Sequence, residues 1–329
     1  MAGPLTLAIA GDVMLGRLVN QVISQKGFGY PWGDVLPVLQ QADLFLINLE
    51  CTMTAHTQPW HDGEYKVFYF RAEPSVVDTL KIGGVAFAAV GNNHIGDFGA
   101  QGLLETLAVL DRAGIAHTGA GPNLAAARAP AVLSSKGVRV GVVAFADYPL
   151  AWAATETTPG INYIPISLDP EDFAPVERVL AAARQHADLV VFTIHWGPNM
   201  QSRPPDLFRA FARRVIDAGA DLFWGHSAHL VQGIEVYGGK AILYDTGDFV
   251  DDYAVDPLER NDLSALFLVQ IRPPVVERID LVPVCISDMQ VNLAAEAEKG
   301  SFIRRLARLC REMDTELKID ADRVSVHVS

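Results

Sequence analysis

Residues 5–12 read LTLAIAGD, a run of apolar and β-branched residues that stops at Gly11-Asp12. The pattern fits a buried strand that delivers a carboxylate just past its end. The same construction recurs along the chain. Strands are expected at Leu5–Ala10, Asp43–Asn48, Val85–Val90, Val138–Phe145, Leu189–Ile194 and Asp221–Trp224. Between them lie helical repeats. Val176, Val179, Leu180 and Ala183 share one helix face, as do Leu207, Phe208, Phe211, Ala212, Val215 and Ile216, the latter with Pro204-Pro205 before and Gly219 after. Strand–helix alternation of this kind predicts an α/β fold with parallel or mixed sheets flanked by helices.

After about Gly225 the pattern becomes antiparallel. Val231–Tyr237 and Ala241–Tyr244 read as a hairpin around Gly238-Gly239-Lys240, two more strands are expected at Leu266–Ile271 and Arg278–Val284, and a charged helix from about Ala294 to Leu317. No low-complexity linker or repeat divides the 329 residues, so one domain of two packed halves is expected. The formal net charge of −13 opposes a nucleic-acid role. No apolar run is long enough for a membrane span, and the N-terminus lacks a basic region and a signal core, which predicts a soluble, cytoplasmic protein. Cys51, Cys285 and Cys310 are odd in number and far apart, giving neither a disulfide framework nor a zinc knuckle.

Polar residues gather where the apolar runs stop. The ends carry Gly11-Asp12, Asn48-Leu49-Glu50, Gly91-Asn92-Asn93-His94, His195-Trp196-Gly197, Gly225-His226-Ser227-Ala228-His229 and Tyr244-Asp245-Thr246-Gly247-Asp248. Parallel strands bring such ends to one edge, where ligands of open α/β sheets bind, and these side chains are the oxygen and nitrogen donors of divalent metals. Each has a plainer reading. Asp12 reads as a ligand or as the cap of a following helix, and Asn92 and Asn93 as ligands or turn residues. His94 and His195 read as functional or as hydrogen-bonded core histidines. His226 and His229 stand out as a pair expected on a loop beyond the sheet, with Asp97 and Asp248 as weaker candidates. His56, His61, His117, His186 and His327 read as loop, helix-face or tail residues.

The ordered set GDVMLGR, INLE, GNNHIGDFG, HWG, GHSAH and YDTGDF, spread over residues 5 to 290, resembles the CapA family associated with bacterial poly-γ-glutamate capsule synthesis. The resemblance implies a calcineurin-like metallophosphoesterase sandwich over residues 1–290, with the C-terminal helix and tail, 291–329, packed on it. Carried over position by position, it implies metal-sphere roles for Asp12, Glu50, Asn93, His195, His226 and His229. It implies the catalytic role for His94, and the residues themselves add carboxylate–imidazole pairs suited to proton transfer: His94 with Asp97, and His226 and His229 with Asp12, Asp245 or Asp248. Three positions depart from the metallophosphoesterase pattern: Met14 stands for the histidine of DxH, Glu50 for the bridging aspartate, and the last pair is spaced H-x-x-H. A thioether is a poor ligand for a hard ion, so one divalent ion is expected, Mn²⁺, Mg²⁺ or Ca²⁺ before Zn²⁺.

The implied function is a metal-dependent hydrolase-like enzyme acting on a peptide or polyanionic substrate such as a γ-glutamyl chain. Relatives of the family also include peptide epimerases of lasso-peptide biosynthesis. A non-catalytic subunit of a capsule synthesis complex is the third reading. Residues 54–66, polar and aromatic, follow Glu50 directly and read as a surface loop or as a substrate-contacting rim containing Trp60, His61, Tyr65 and Lys66. Arg17 and Arg203, just past the Asp12 and His195 motifs, are candidates for pairing with a substrate carboxylate or phosphate.

Overall fold

The computed structural model describes residues 4–61, 66–320 and 323–329. Its first sheet is built on β1 (Leu5–Val13), β2 (Leu44–Leu49), β3 (Val85–Ala89) and β4 (Ala116–Thr118), which run parallel. The second sheet has β5 (Ala131–Ser135), β6 (Val138–Ala146), β7 (Leu189–His195), β8 (Leu222–His226), β9 (Ile234–Tyr237) and β10 (Lys240–Leu243), in the order β9-β10-β8-β7-β6-β5. The chain then returns to the first sheet with β11 (Asp248–Val250), β12 (Leu263–Arg272), β13 (Val275–Ser287), β14 (Gln290–Leu293), β15 (Lys318–Asp320) and β16 (Arg323–His327). That sheet has the order β15-β16-β13-β12-β1-β2-β3-β4, with β11 also pairing β1 and β14 pairing β13. Both sheets are mixed, as the alternating pattern predicts.

Helices cover the outer faces. Helices α1 (Arg17–Lys26) and α2 (Gly99–Ala113) bury Val19, Ile23, Leu103, Leu107 and Leu110 against Ala8, Ala10 and Val13 of β1. Helix α3 (Pro170–Arg184) opens with Pro170, Glu171 and Asp172, residues suited to a helix N-terminus. It joins α4 (Asp206–Asp217) on the second sheet, burying Phe173, Val176, Phe211 and Val215 against Val190 and Phe192. The two sheets face each other across a core of Leu5, Leu7, Ile9, Val140, Val142, Leu189, Val191, Leu222 and Trp224. Each such side chain is worth roughly 1.5–3 kcal/mol when fully buried. The result is a four-layer α/β sandwich. Helix α5 (Glu296–Arg311) buries Phe302, Leu306 and Cys310 in the inter-sheet core, and β16 pairs with β13. The three cysteines are free. Among the described residues no helix is long and apolar enough to cross a membrane.

Strand parity decides which side chains enter the space between the sheets. On β7, Leu189 and Val191 face inward, and His195 follows their parity. On β8, Leu222 and Trp224 face inward, as does His226. On β2, Leu44 and Leu46 put Asn48 on that face. On β1 the inward residues are Leu5, Leu7 and Ile9, a parity that would turn Asp12 outward. A register shift between Ile9 and Asp12 reverses it, so Ala10 and Val13 both face the helices and Asp12 faces the opposite sheet.

Three expected boundaries shift. The strand carrying Asp12 continues to Val13, and α1 begins only at Arg17 after Gly16, so Asp12 does not cap it. His226 is the last residue of β8, so only His229 of that pair lies on the following loop. The last helix is shorter than expected, its ends turning into chain that feeds the sheet.

Candidate functional site

Register brings the donors together. Asp12 is opposite Asn48 on one side and Asp248 on the other, and His195 is opposite His226. The segment 244–247 crosses over both strands. A side chain at Gly11 would meet the Gly247 carbonyl oxygen at 1.7 Å, and one at Gly225 the Tyr244 oxygen at 2.0 Å. Glycine at both positions is therefore a packing requirement. The Asp12 N–H donates to the Gly247 carbonyl (2.9 Å) and the Thr246 N–H to that of Gly225 (3.0 Å). Asp245 accepts from the Ala228 and Gly247 N–H groups and clamps the GHSAH loop. That loop holds Ser227 at φ 119° and His229 at φ 59°, left-handed conformations that side chains rarely adopt and that concentrate at functional sites.

The donor atoms form two triads sharing Asp12: Asp12–His195–His226 and Asp12–Glu50–His229, each with ligand atoms within 4.8 Å of one another. In the first, the Nδ1 atoms of His195 and His226 are 2.9 Å apart, and Asn48 Nδ2 donates to Asp12 Oδ1 at 2.7 Å. In the second, His229 Nδ1 is 2.8 Å from Asp248 Oδ1 and 3.5 Å from Asp12 Oδ2. Tyr253 donates its hydroxyl to Glu50 Oε2 at 2.8 Å. Among the described residues, four buried atoms of these motifs have no hydrogen-bond partner: Asp12 Oδ2, Asn93 Oδ1, His195 Nε2 and Asp248 Oδ2.

Burial shapes the charges. It drives His226 down to about 3 and holds His195 well below the usual histidine range, helped by its neighbouring histidines, so both rings are neutral at pH 7. Burial, then the nearby carboxylates, raises Asp12 far above the carboxylate range; burial also raises Glu50. Burial works to lower His229, but Asp248, Glu50 and Asp12 outweigh it and hold the ring well above its ordinary value. An enclosed group of carboxylates around one imidazolium is short of positive charge.

His94 completes the site. Its Nδ1 is 2.7 Å from Asp97 Oδ2 and its Nε2 3.9 Å from Glu50 Oε1. Phe70 stacks on the ring with centroids 3.8 Å apart and donates its backbone N–H to Asp97. The two asparagines separate in role. Asn92 spends its amide on Asn48, Leu49 and the N–H groups of His94 and Ile95, as a turn residue does. Asn93 keeps a buried oxygen without a partner.

The weaker candidates divide. Lys66 is bonded to Asp97 and to the Asn93 carbonyl oxygen (2.6 Å), supporting the His94 pair from behind. Arg17 pairs with Asp252 at 3.2 Å and lies over Phe68 and Phe70 at the cavity edge. Trp60 packs on Trp152 beside an adjoining cavity that also reaches His94. Arg203 is not brought to the site: it forks onto Glu312 on the exposed surface. Met14 is buried against the helices, its sulfur accepting from the Gly16 N–H. Tyr65 lies outside the described residues. Asn48, Phe70 and Tyr253 also touch the candidate donors, though the sequence motifs give them no individual role. Parity along INLE would have found Asn48; Phe70 and Tyr253 lie in irregular chain with no periodic signal.

Residues 6–253 match the family model described as bacterial capsule synthesis protein PGA_cap. A probable polyglutamine synthesis accessory protein of Mycobacterium tuberculosis is 35% identical, covering 93% of this chain and 91% of its own. The PGA biosynthesis protein CapA of Bacillus subtilis is 32% identical (98% and 82%), and the capsule biosynthesis protein CapA of Bacillus anthracis 30% identical (92% and 73%).

Proposed function

Because this chain belongs to the bacterial capsule synthesis protein PGA_cap family, we propose that its buried donor cluster is a metal-assisted acid/base centre acting on an amide-linked chain of the peptide or polyglutamate kind. The observation that carries the reading is the pair of triads sharing Asp12, in which Asp12 Oδ2 and His195 Nε2 are buried and have no partner among the described residues. Leaving a buried polar atom unpaired costs about 1–3 kcal/mol, and a cation held by the triads would answer Asp12 Oδ2 and His195 Nε2, which belong to them. Asp12, Glu50, Asn93, His195, His226 and His229 would hold it, and the carboxylate and amide oxygens among them favour Mn²⁺, Mg²⁺ or Ca²⁺ over Zn²⁺. A bound divalent ion supplies Lewis acidity and lowers the pKa of water.

The protein's own groups supply the rest. Asp97 fixes the Nδ1 side of His94, leaving Nε2 directed toward Glu50 and free to exchange a proton. Phe70 holds the ring plane and Lys66 holds Asp97. In hydrolysis, water would add to the amide carbonyl carbon while His94 Nε2 takes its proton, and His94 would then pass that proton to the amine nitrogen as the C–N bond breaks, leaving a carboxylic acid, an amine and the imidazole as it began. The test is elemental analysis of the purified protein with its stoichiometry, followed by incubation with poly-γ-glutamate, short peptides and p-nitrophenyl phosphate under several divalent ions. One ion per chain and amide cleavage are expected; no cleavage of any amide under any ion sinks the hydrolase.

A second reading has its own support. His94–Asp97 and His229–Asp248 are two carboxylate-fixed imidazoles bordering one cavity. One can take a Cα proton and the other return one to the opposite face, inverting the centre with no net change in atoms. Incubation of peptides in D₂O separates the readings: epimerisation inserts one deuterium at Cα, whereas hydrolysis leaves Cα unlabelled.

A further inference from the structure

The space beside His94 has two lobes, each lined by both polar and apolar side chains. One, about 310 Å³, is lined by Arg17, Phe70, His229, Asp252 and Tyr253 among others. The second, about 450 Å³, is walled by Trp60, Val67, Phe68, Tyr148, Leu150 and Trp152. Phe68, Asn93, His94 and Asn199 line both, so the second lobe opens directly onto the acid/base residue.

The second lobe leaves large apolar side chains in water. Val67 is 61% exposed, Phe68 54%, Tyr148 62% and Leu150 65%. A single exposed apolar residue is ordinary, but four from two chain segments around one mouth form a patch of the kind that binds something. Behind them Trp60 and Trp152 meet edge to face with ring centroids 5.2 Å apart, a stiff aromatic wall. Charge points the same way. Lys66 and Arg17 are the lysine and arginine lining the lobes, and each already faces a carboxylate, Asp97 and Asp252. A carboxylate-rich chain finds no spare lysine or arginine among the described lining residues. An apolar group finds a cavity large enough for an aromatic ring.

We propose that the second lobe is a subsite for a bulky apolar side chain of the amide-linked substrate, next to the position on which His94 acts. The inference rests on the reading of the donor cluster as a centre that works on such chains, and it narrows the substrate to one with an aromatic or branched aliphatic group beside the reacting position.

The test is calorimetric titration of the full chain, with Mn²⁺ and after chelation, using N-acetyl-phenylalanyl-glycine and N-acetyl-glutamyl-glycine, which share length and C-terminal carboxylate. The phenylalanyl probe is expected to bind about tenfold more tightly. Tyr148→Ser combined with Leu150→Ser, both at exposed positions, is expected to reduce that preference to about twofold or less and leave Mn²⁺ affinity unchanged. Equal binding of the probes, tighter binding of the glutamyl probe, no binding of either, or a preference that survives the double substitution overturns the proposal. The wild-type comparison alone decides the matter if the double variant does not fold. Mn²⁺ titration without probe reads the donor cluster separately: preference without metal binding removes the metal centre and leaves the subsite, and metal binding without preference does the reverse.

Discussion

The two triads share Asp12 and differ in how their other members are placed and charged. His195 and His226 end adjacent strands in register, and burial keeps both rings neutral. Glu50 and His229 come from segments beyond strand ends, and His229 is held in its protonated form by Asp248, Glu50 and Asp12. The two histidines of the first triad would accept a cation as they stand, whereas Asp12, common to both triads, is itself pushed up by burial. The second must first give up a proton. Sheet register can position neutral donors rigidly, because the ladder fixes the backbone. The loop needs a charge pair to fix its histidine.

Changing the shared residue tests the comparison hardest. Asp12→Asn is expected to abolish Mn²⁺ binding and activity together, measured by calorimetry and by whichever assay above is positive; near-normal affinity would show that the triads do not depend on a common donor. His94→Ala, outside both triads, is expected to lower activity about 10²–10⁴-fold with Mn²⁺ affinity retained. A parallel loss of metal would place His94 among the ligands.

Proton accounting separates the triads more finely. Mn²⁺ binding at pH 7, followed in buffers of different ionisation enthalpy, is expected to release about one proton more in the wild type than in His229→Gln. The neutral side predicts a pH effect on the metal-free protein. Folded His226 titrates at about 3 against 6.5 for the free side chain. Between these values the unfolded chain binds the extra proton, so this contribution is present above about 6.5 and lost as pH falls toward 3. Thermal melts of His226→Gln should show a shallower acid slope in that window than wild type. The smallest effect is expected at Arg203: its pair with Glu312 lies on the exposed surface, where water and salt screen it, and Arg203→Ala should leave both thermal stability and metal affinity close to unchanged.

Much of this arrangement was legible before the fold. Apolar runs ending in Asp12, Glu50, His94, His195 and His226 announced an edge of donors, because strand period and burial are local properties of sequence. What was hidden depended on neighbours. Asp12 faces the second sheet only because β1 shifts register after Ile9. Asn92 and Asn93 look alike in sequence and are told apart by the hydrogen bonds each has already made. Lys66 and Arg17 look like free cations until Asp97 and Asp252 are seen beside them.

By itself the sequence determined the α/β class, the motif order that marks the family, and the chemical kind of each donor, since these follow from side-chain type and short-range periodicity. Tertiary structure alone decided that the donors divide into two triads around one carboxylate, that burial and neighbouring charge push their histidines in opposite directions, and that exposed Val67, Phe68, Tyr148 and Leu150 gather at the mouth of a cavity reaching His94. Those properties depend on distance and burial between segments far apart in the chain, which no local pattern encodes.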